Sequence, residues 1–208
     1  MANILKNNNI KAIMIDTPIG KKENSFNYDK NMQLINKYID ISNIFHVKYL
    51  RIFSNVGKEN TIDSVKETLT EMKEIISGYK IELLIENEKE TLAESAEQCY
   101  ELIKNIEKIN ILFDVENSYA KGFDVLEEYE KYKGKIKYLH IRDYNKIIDK
   151  YTYIGEGTIP LMLLFEKIKK DGSKVIVSLE TMLPKFNKIN SKKELFINSF
   201  RCLKKFLR

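Results

Sequence analysis

Four short apolar segments carry, at or beside their last residue, a side chain able to bind a metal ion. Glu86 closes IELLIE (81–86), Asp114 closes INILFD (109–114) and Glu180 closes KVIVSLE (174–180). His140 lies one residue before the end of IKYLHI (136–141) and is one of only 2 histidines in the chain. Three carboxylates gathered at one place repel one another, which pushes their pKa values up unless a cation neutralises them. With one imidazole added, the donors form a mixed oxygen and nitrogen set. Such a set suits Mn²⁺, Mg²⁺ or Co²⁺ with positions left open for water or substrate, rather than a closed structural zinc. Strands often end on polar residues, so one such residue says little; four on successive segments form a pattern.

The segments that must position these side chains read as strands. Together with IKAIMID (10–16) and VKYLRIF (47–53) they are near-continuous apolar runs, as expected of parallel strands buried on both faces. Helical periodicity fills the intervals. Tyr28 to Phe45 supplies one helix, and Ile62, Val65, Leu69, Met72 and Ile76 form the buried stripe of the next. Thr91-Leu-Ala-Glu94 reads as a capping box opening a helix that turns Leu92, Ala96, Cys99 and Ile103 inward. FDVLEEYEKYKG runs to Gly134, and Pro160 reads as the first helical residue before LMLLFEKIKK. Ser191-Lys-Lys-Glu194 caps a last helix, with Leu195, Phe196, Ser199, Phe200, Leu203 and Phe206 on its apolar face. Strict strand–helix alternation requires right-handed crossovers and a parallel sheet. The expected fold class is therefore α/β, a TIM-barrel-like parallel βα repeat of six strands forming a single domain over residues 1–208. In such a fold the strand C-termini open onto one face, where the four side chains should converge.

Composition limits what else the chain can be. With 208 residues, 43% of them hydrophobic, 31% charged, 8 Gly and 3 Pro, it can bury a sizeable core and is neither disordered nor collagen-like. No apolar run approaches the roughly 18 residues of a membrane span. The opening MANILKNNNIKAIMIDTP has no apolar stretch of the kind that directs secretion, so a cytoplasmic protein is expected, without a membrane partner. Cys99 and Cys202 stand far apart, which argues against a structural disulfide. Net charge is +5, and residues 181–208 hold eight Lys and Arg against Glu194 alone. Because that stretch also has a helical apolar period, its lysines read as a solvated face rather than a nucleic-acid surface.

The stretches LLIEN (83–87), ILFDVENS (111–118), KYLHIRDYN (137–145), YIGEGTIP (153–160) and VIVSLET (175–181) resemble, in order and spacing, the xylose-isomerase-like superfamily of sugar isomerases and epimerases. The resemblance implies that Glu86, Asp114, His140 and Glu180 bind one divalent metal. Mn²⁺ is the preferred ion, with Mg²⁺, Co²⁺ or Zn²⁺ as alternatives. It further implies that Glu86 and Glu180 act as base and acid on opposite faces of a sugar or keto substrate. One carboxylate removes a proton from the carbon beside the carbonyl, the metal stabilises the enediolate as a Lewis acid, and the other carboxylate returns the proton. Lys146, six residues after His140, corresponds to a position where some members place a cation on a substrate oxygen; a solvated loop lysine is the equal alternative. Arg51 in KYLRIF is a further substrate-binding candidate, although an ion pair inside the barrel is the stronger expectation. Asp143 is expected to orient a ligand and Glu156 to shape its turn.

Two departures from the family pattern stand out. Six strands correspond to the family's strands three to eight, so the first two βα units are expected to be absent, with a homodimer as the expected cover for the open sheet edges. Asn117 and Glu88 also stand where many members have histidine. Asn117 can hydrogen-bond a substrate hydroxyl but is no proton donor of tunable pKa. The expected function is a metal-dependent sugar or sugar-phosphate isomerase or epimerase. The alternative is a non-catalytic relative that binds a sugar or a protein. A DNA-repair nuclease of the same superfamily would need a histidine-rich multi-zinc site, which 2 histidines cannot build.

Overall fold

The computed structural model describes residues 1–21, 27–58, 60–180 and 192–207. The chain packs as two compact units, Met1–Leu112 and Phe113–Arg208, with the division inside one strand. In the first unit the order is α1 (Ala2–Asn7), β1 (Met14–Asp16), α2 (Tyr28–Phe45), β2 (Tyr49–Ile52), α3 (Ile62–Ile76), β3 (Glu82–Glu86), α4 (Ala96–Ile103) and most of β4 (Ile109–Asp114). The second continues with α5 (Val115–Ala120), α6 (Val125–Tyr132), β5 (Ile136–Ile141), β6 (Asp143–Asn145), β7 (Lys150–Thr152), α7 (Leu161–Asp171), β8 (Ile176–Leu179) and α8 (Lys192–Phe206).

The fold class is α/β, with six strands in the order β1-β2-β3-β4-β5-β8; β6 and β7 form a separate antiparallel hairpin. The pairs β1–β2, β2–β3, β3–β4 and β5–β8 are parallel. The strands in the middle of this order are covered: Leu83, Leu84 and Ile85 in β3, and Ile111, Leu112 and Phe113 in β4, are fully buried. At the two ends of the order, β8 is half-buried throughout and Asp16 of β1 is exposed.

Within the first unit, α2 has the bounds that its periodicity predicts. The Asn27 side chain accepts from the Lys30 amide at its start, and His46 in the left-handed conformation ends it. Thr61 and Ser64 cap α3 reciprocally, each side chain accepting from the other's backbone N–H at 3.2 and 3.0 Å. Val65, Leu69, Met72 and Ile76 are completely buried along that helix, but Ile62 in its first turn is exposed. The expected start of α4 is corrected by four residues. Ser95 is the N-cap and accepts from the Gln98 amide at 3.2 Å. Thr91 instead donates its hydroxyl to the Glu88 carbonyl at 2.8 Å, which commits residues 88–93 to a turn.

In the second unit Pro160 is the N-cap of α7 rather than its first residue, and Gly172 ends that helix at φ 64°. The apolar face expected for the last helix is corrected too. Ser199 and Leu203 are buried, whereas Phe196 and Phe200 are exposed and stack on each other with centroids 5.9 Å apart. Ser191, the expected cap of that helix, and the Leu195 side chain lie outside the described residues. Helices α1 and α5 and the β6–β7 hairpin are additions that the sequence pattern does not announce.

Register does the positioning. His140 is level with Ser178, and the Glu180 amide donates to the Ile141 carbonyl at 2.9 Å. Level residues of parallel neighbours share a face, and so do residues two apart along a strand. His140 and Glu180 therefore point the same way. In the first unit Glu86 is level with Leu112 of β4.

Candidate functional site

Each of the four metal-ligand candidates sits at a strand C-terminus. Glu86 is the last residue of β3, Asp114 the last of β4 and His140 the penultimate residue of β5, while Glu180 follows β8 directly. Glu86, Asp114 and His140 are buried; the Glu180 side chain is 36% exposed.

Asp114 has two tasks. It ends β4 and is also the N-cap of α5, its Oδ1 accepting from the Asn117 amide at 2.9 Å. That cap fixes the carboxylate and starts a one-and-a-half-turn helix, which carries Glu116 and Asn117 into a buried position. The centre of the cluster is Arg142, two residues beyond His140. Its Nε donates to Glu116 Oε2 at 2.8 Å, and its Nη2 lies 3.0 Å from Asp114 Oδ2 and donates to Asn117 Oδ1 at 2.9 Å. Its Nη1 donates to Glu180 Oε2. The same Glu180 oxygen lies 4.0 Å from His140 Nδ1. One planar fork thus joins three carboxylates, a task for which a guanidinium is better shaped than an ammonium. Burial works against the charged guanidinium, but Asp114, Glu180 and Glu116 outweigh it and raise the Arg142 pKa above its ordinary value. Tyr151 of β7 reaches the cluster from the hairpin, its hydroxyl 3.4 Å from Glu116 Oε2. Burial and the Glu116 charge push that phenol up to about 12.

Asp143, next along the chain, serves a different purpose. Its carboxylate accepts the amides of Gly155 at 2.8 Å, Gly157 at 3.0 Å and Tyr144 at 2.9 Å, locking the GEG turn onto the hairpin. Burial raises its pKa, and the amides of Gly155, Gly157, Tyr144 and Ile159 pull it part of the way back. In these contacts Asp143 holds the turn together. Gly157 permits the turn because a Cβ there would overlap Asp143 Oδ1 and Cγ and come within 2.7 Å of the Tyr144 carbonyl oxygen.

The remaining candidates spread out. Asn117 is buried against Arg142. Lys146 is exposed on the β6–β7 turn, with its Nζ 5.8 Å from the Tyr119 ring centroid. In the first unit, Arg51 Nη1 donates to Glu86 Oε2 at 3.0 Å, Nε lies 3.5 Å from Asp16 Oδ1, and the guanidinium rests 4.8 Å over Phe53. The ion pair expected for Arg51 is present, and its partner is a candidate catalytic carboxylate.

The donor chemistry fits a divalent ion. Glu86, Asp114 and His140 each offer a ligand atom. Within the second unit, Asp114, Glu116 and Glu180 share one guanidinium, so that cluster holds two more negative than positive groups. Sequence reasoning assigned no role to Arg142 or Glu116. Alternation alone could have flagged Arg142, which stands two residues after His140 and hence on the same face.

Residues 1–206 match the family model for the xylose isomerase-like TIM barrel. The chain belongs to the xylose isomerase-like TIM barrel family. One curated relative, an uncharacterized protein of Methanocaldococcus jannaschii, is 29% identical over 145 residues, covering 66% of this chain and 49% of the relative. The chain spans about half the length of the curated relatives it matches (49% and 45%). Among solved structures, the IolI protein with a bound zinc atom superposes with a TM-score of 0.79 at 19% identity, over 99% of this chain and 80% of that one. An L-ribulose 3-epimerase superposes with a TM-score of 0.78 at 15% identity, over 99% of this chain and 78% of that one. These likenesses establish the xylose isomerase-like fold. Among the described residues no helix is long and apolar enough to cross a membrane.

Proposed function

We propose that this xylose isomerase-like chain is a metal-dependent isomerase or epimerase of a sugar or sugar phosphate, with Glu86, Asp114, His140 and Glu180 as ligands of one divalent ion, Mn²⁺ in preference. The observation that carries the reading is the placement of Asp114, His140 and Glu180 at the C-terminal ends of their strands, in a cluster richer in carboxylates than in cations. Buried carboxylates without enough positive charge cost stability, and a divalent cation offsets that cost. The fourth ligand of the proposal is Glu86, the last residue of β3.

When bound, the ion supplies Lewis-acid stabilisation of charge developing on the substrate oxygens. The chain's own residues do the rest. Glu180, partly exposed and hydrogen-bonded to Arg142, is placed to exchange a proton with the carbon beside a substrate carbonyl. Glu86 is the second proton carrier, held in one orientation by Arg51. Arg142, itself held by Glu116, fixes the Asp114 and Glu180 carboxylates, and Asn117 and Lys146 are offered to substrate hydroxyls. One observation favours the alternative of a non-catalytic sugar- or protein-binding relative: Asp114, Glu180 and Glu86 are already paired with arginines.

The test is solvent-deuterium exchange into a panel of ketoses and their phosphates by Mn²⁺-loaded protein, read by mass spectrometry. The proposal expects deuterium at the carbon beside the carbonyl of at least one sugar, lost at least 100-fold in Glu180→Gln, in line with the roughly 10²–10⁴-fold worth of a general base. Binding of a sugar with no exchange would establish the non-catalytic alternative.

A further inference from the structure

We infer that Arg142 is a resident counter-cation that competes with the divalent ion for Asp114 and Glu180, and so sets how tightly the site holds metal. The inference rests on the metal reading above. Asp114 Oδ1 is engaged by the Asn117 amide at 2.9 Å, and Arg142 Nη2 lies 3.0 Å from the other oxygen, Oδ2. Glu180 presents a single oxygen, Oε2, both to Arg142 Nη1 and toward His140 Nδ1 at 4.0 Å. On two of the proposed ligands, the guanidinium therefore contacts a carboxylate oxygen that an ion could also use.

Arg142 is also anchored where it is. Glu116 Oε2 holds Nε at 2.8 Å and Asn117 Oδ1 holds Nη2 at 2.9 Å, and both side chains are buried. Neither is a proposed metal ligand, so the anchor persists when the ion arrives. A fixed positive charge beside a bound cation in a poorly solvated place opposes binding. Without the ion, the same charge offsets the mutual repulsion of the carboxylates gathered around it. One residue thus stabilises the metal-free site and weakens the metal-loaded one. A purely structural arginine would not separate these effects, because its removal would weaken both.

The test compares wild type, Arg142→Gln and Arg142→Lys after metal stripping, using Mn²⁺ titration by calorimetry and thermal unfolding with and without Mn²⁺. Arg142→Gln is expected to melt lower in chelator yet bind Mn²⁺ at least tenfold more tightly, with a larger rise in melting temperature on Mn²⁺ addition. Arg142→Lys, which keeps the charge without the fork, should stay within about threefold of the wild-type Kd. A folded Arg142→Gln that binds Mn²⁺ no more tightly than wild type overturns the inference. If Arg142→Gln is unfolded in chelator, its circular dichroism is followed as Mn²⁺ is added: refolding supports the inference and failure to refold at saturation overturns it. Wild type that binds no Mn²⁺ at all removes the metal reading itself, a separate outcome.

Discussion

Replacing Gly157 by alanine should destabilise the protein far more than a surface Gly→Ala change does. The new Cβ would overlap the Asp143 carboxylate and press on the Tyr144 carbonyl oxygen at 2.7 Å. Asp143 is buried, and its position is held by the amides of Gly155, Gly157 and Tyr144 at 2.8, 3.0 and 2.9 Å, so making room means breaking at least one of these bonds. Overpacking costs about 1–3 kcal/mol, and a lost hydrogen bond to a charged group about 1.5–3 kcal/mol. Together they give about 2.5–6 kcal/mol. For a chain of this size that corresponds to a melting temperature lower by roughly 5–24 °C. Urea unfolding followed by circular dichroism measures the difference, with Gly134→Ala as control. A Cβ at Gly134 meets nothing within 4 Å and its backbone is not left-handed, so that variant should lie within about 1 kcal/mol of wild type. A Gly157→Ala protein as stable as the control would refute the amide cradle around Asp143 and the reason given for the GEG turn.

Two further outcomes are expected. Arg51→Met leaves Glu86 buried without its 3.0 Å partner and should cost about 3–5 kcal/mol by urea unfolding, a loss that Arg51→Met/Glu86→Gln partly restores; an unchanged midpoint in the single variant would contradict the pairing. The Tyr151 hydroxyl, raised to about 12 from an ordinary 10.0, favours the protonated form in the folded state. The unfolded chain then releases this proton first, so the stability contributed by Tyr151 is complete below pH about 10 and is lost as pH rises toward about 12. Tyr28 is raised to about 12 as well, so alkaline titration of tyrosinate absorbance should lose one of two tyrosines titrating near 12 in Tyr151→Phe, and an unaltered titration curve would count against this placement of the phenol.

Much of the fold was legible because long-range pairing and local periodicity agree. Tyr28 to Phe45 is both periodic and capped, and its predicted bounds hold. The strand cores 83–85 and 111–113 are apolar at every position, and every one of these residues is buried. The failures have local causes. Thr91-x-x-Glu94 and Ser95-x-x-Gln98 are both capping-box patterns, and spacing alone cannot say which one the chain uses. Helix α5, VENSYA, has no apolar period; it exists because Asp114 caps it and its buried face is polar, with Glu116, Asn117 and Ser118 turned inward. The hairpin depends on side chains bonding backbone, Asn145 Oδ1 accepting the amides of Ile147 and Ile148, and composition does not announce such turns. In the last helix, Phe196 and Phe200 follow the apolar period and yet are exposed, since periodicity records a face without recording whether anything packs on it.

The candidate site was legible as a set of residue types at strand ends, but not as a charge arrangement. Glu86 and Asp114 end their strands, His140 stands one residue before the end of its own, and Glu180 follows β8 directly. Arg51 read as an ion-pair residue but without Glu86 as its partner, and Arg142 was invisible, since it follows β5 and meets Asp114 and Glu116 across 28 and 26 positions of sequence. Only tertiary pairing shows that these acids sit beside a cation.

The most direct measurement is anomalous scattering from a crystal of the protein soaked in Mn²⁺. The account predicts one strong peak per chain, within bonding distance of carboxylate oxygens of Glu86, Asp114 and Glu180 and of a His140 ring nitrogen. A peak bound by other residues, or none in a crystal that keeps Asp114 and Glu180 on Arg142, would contradict it.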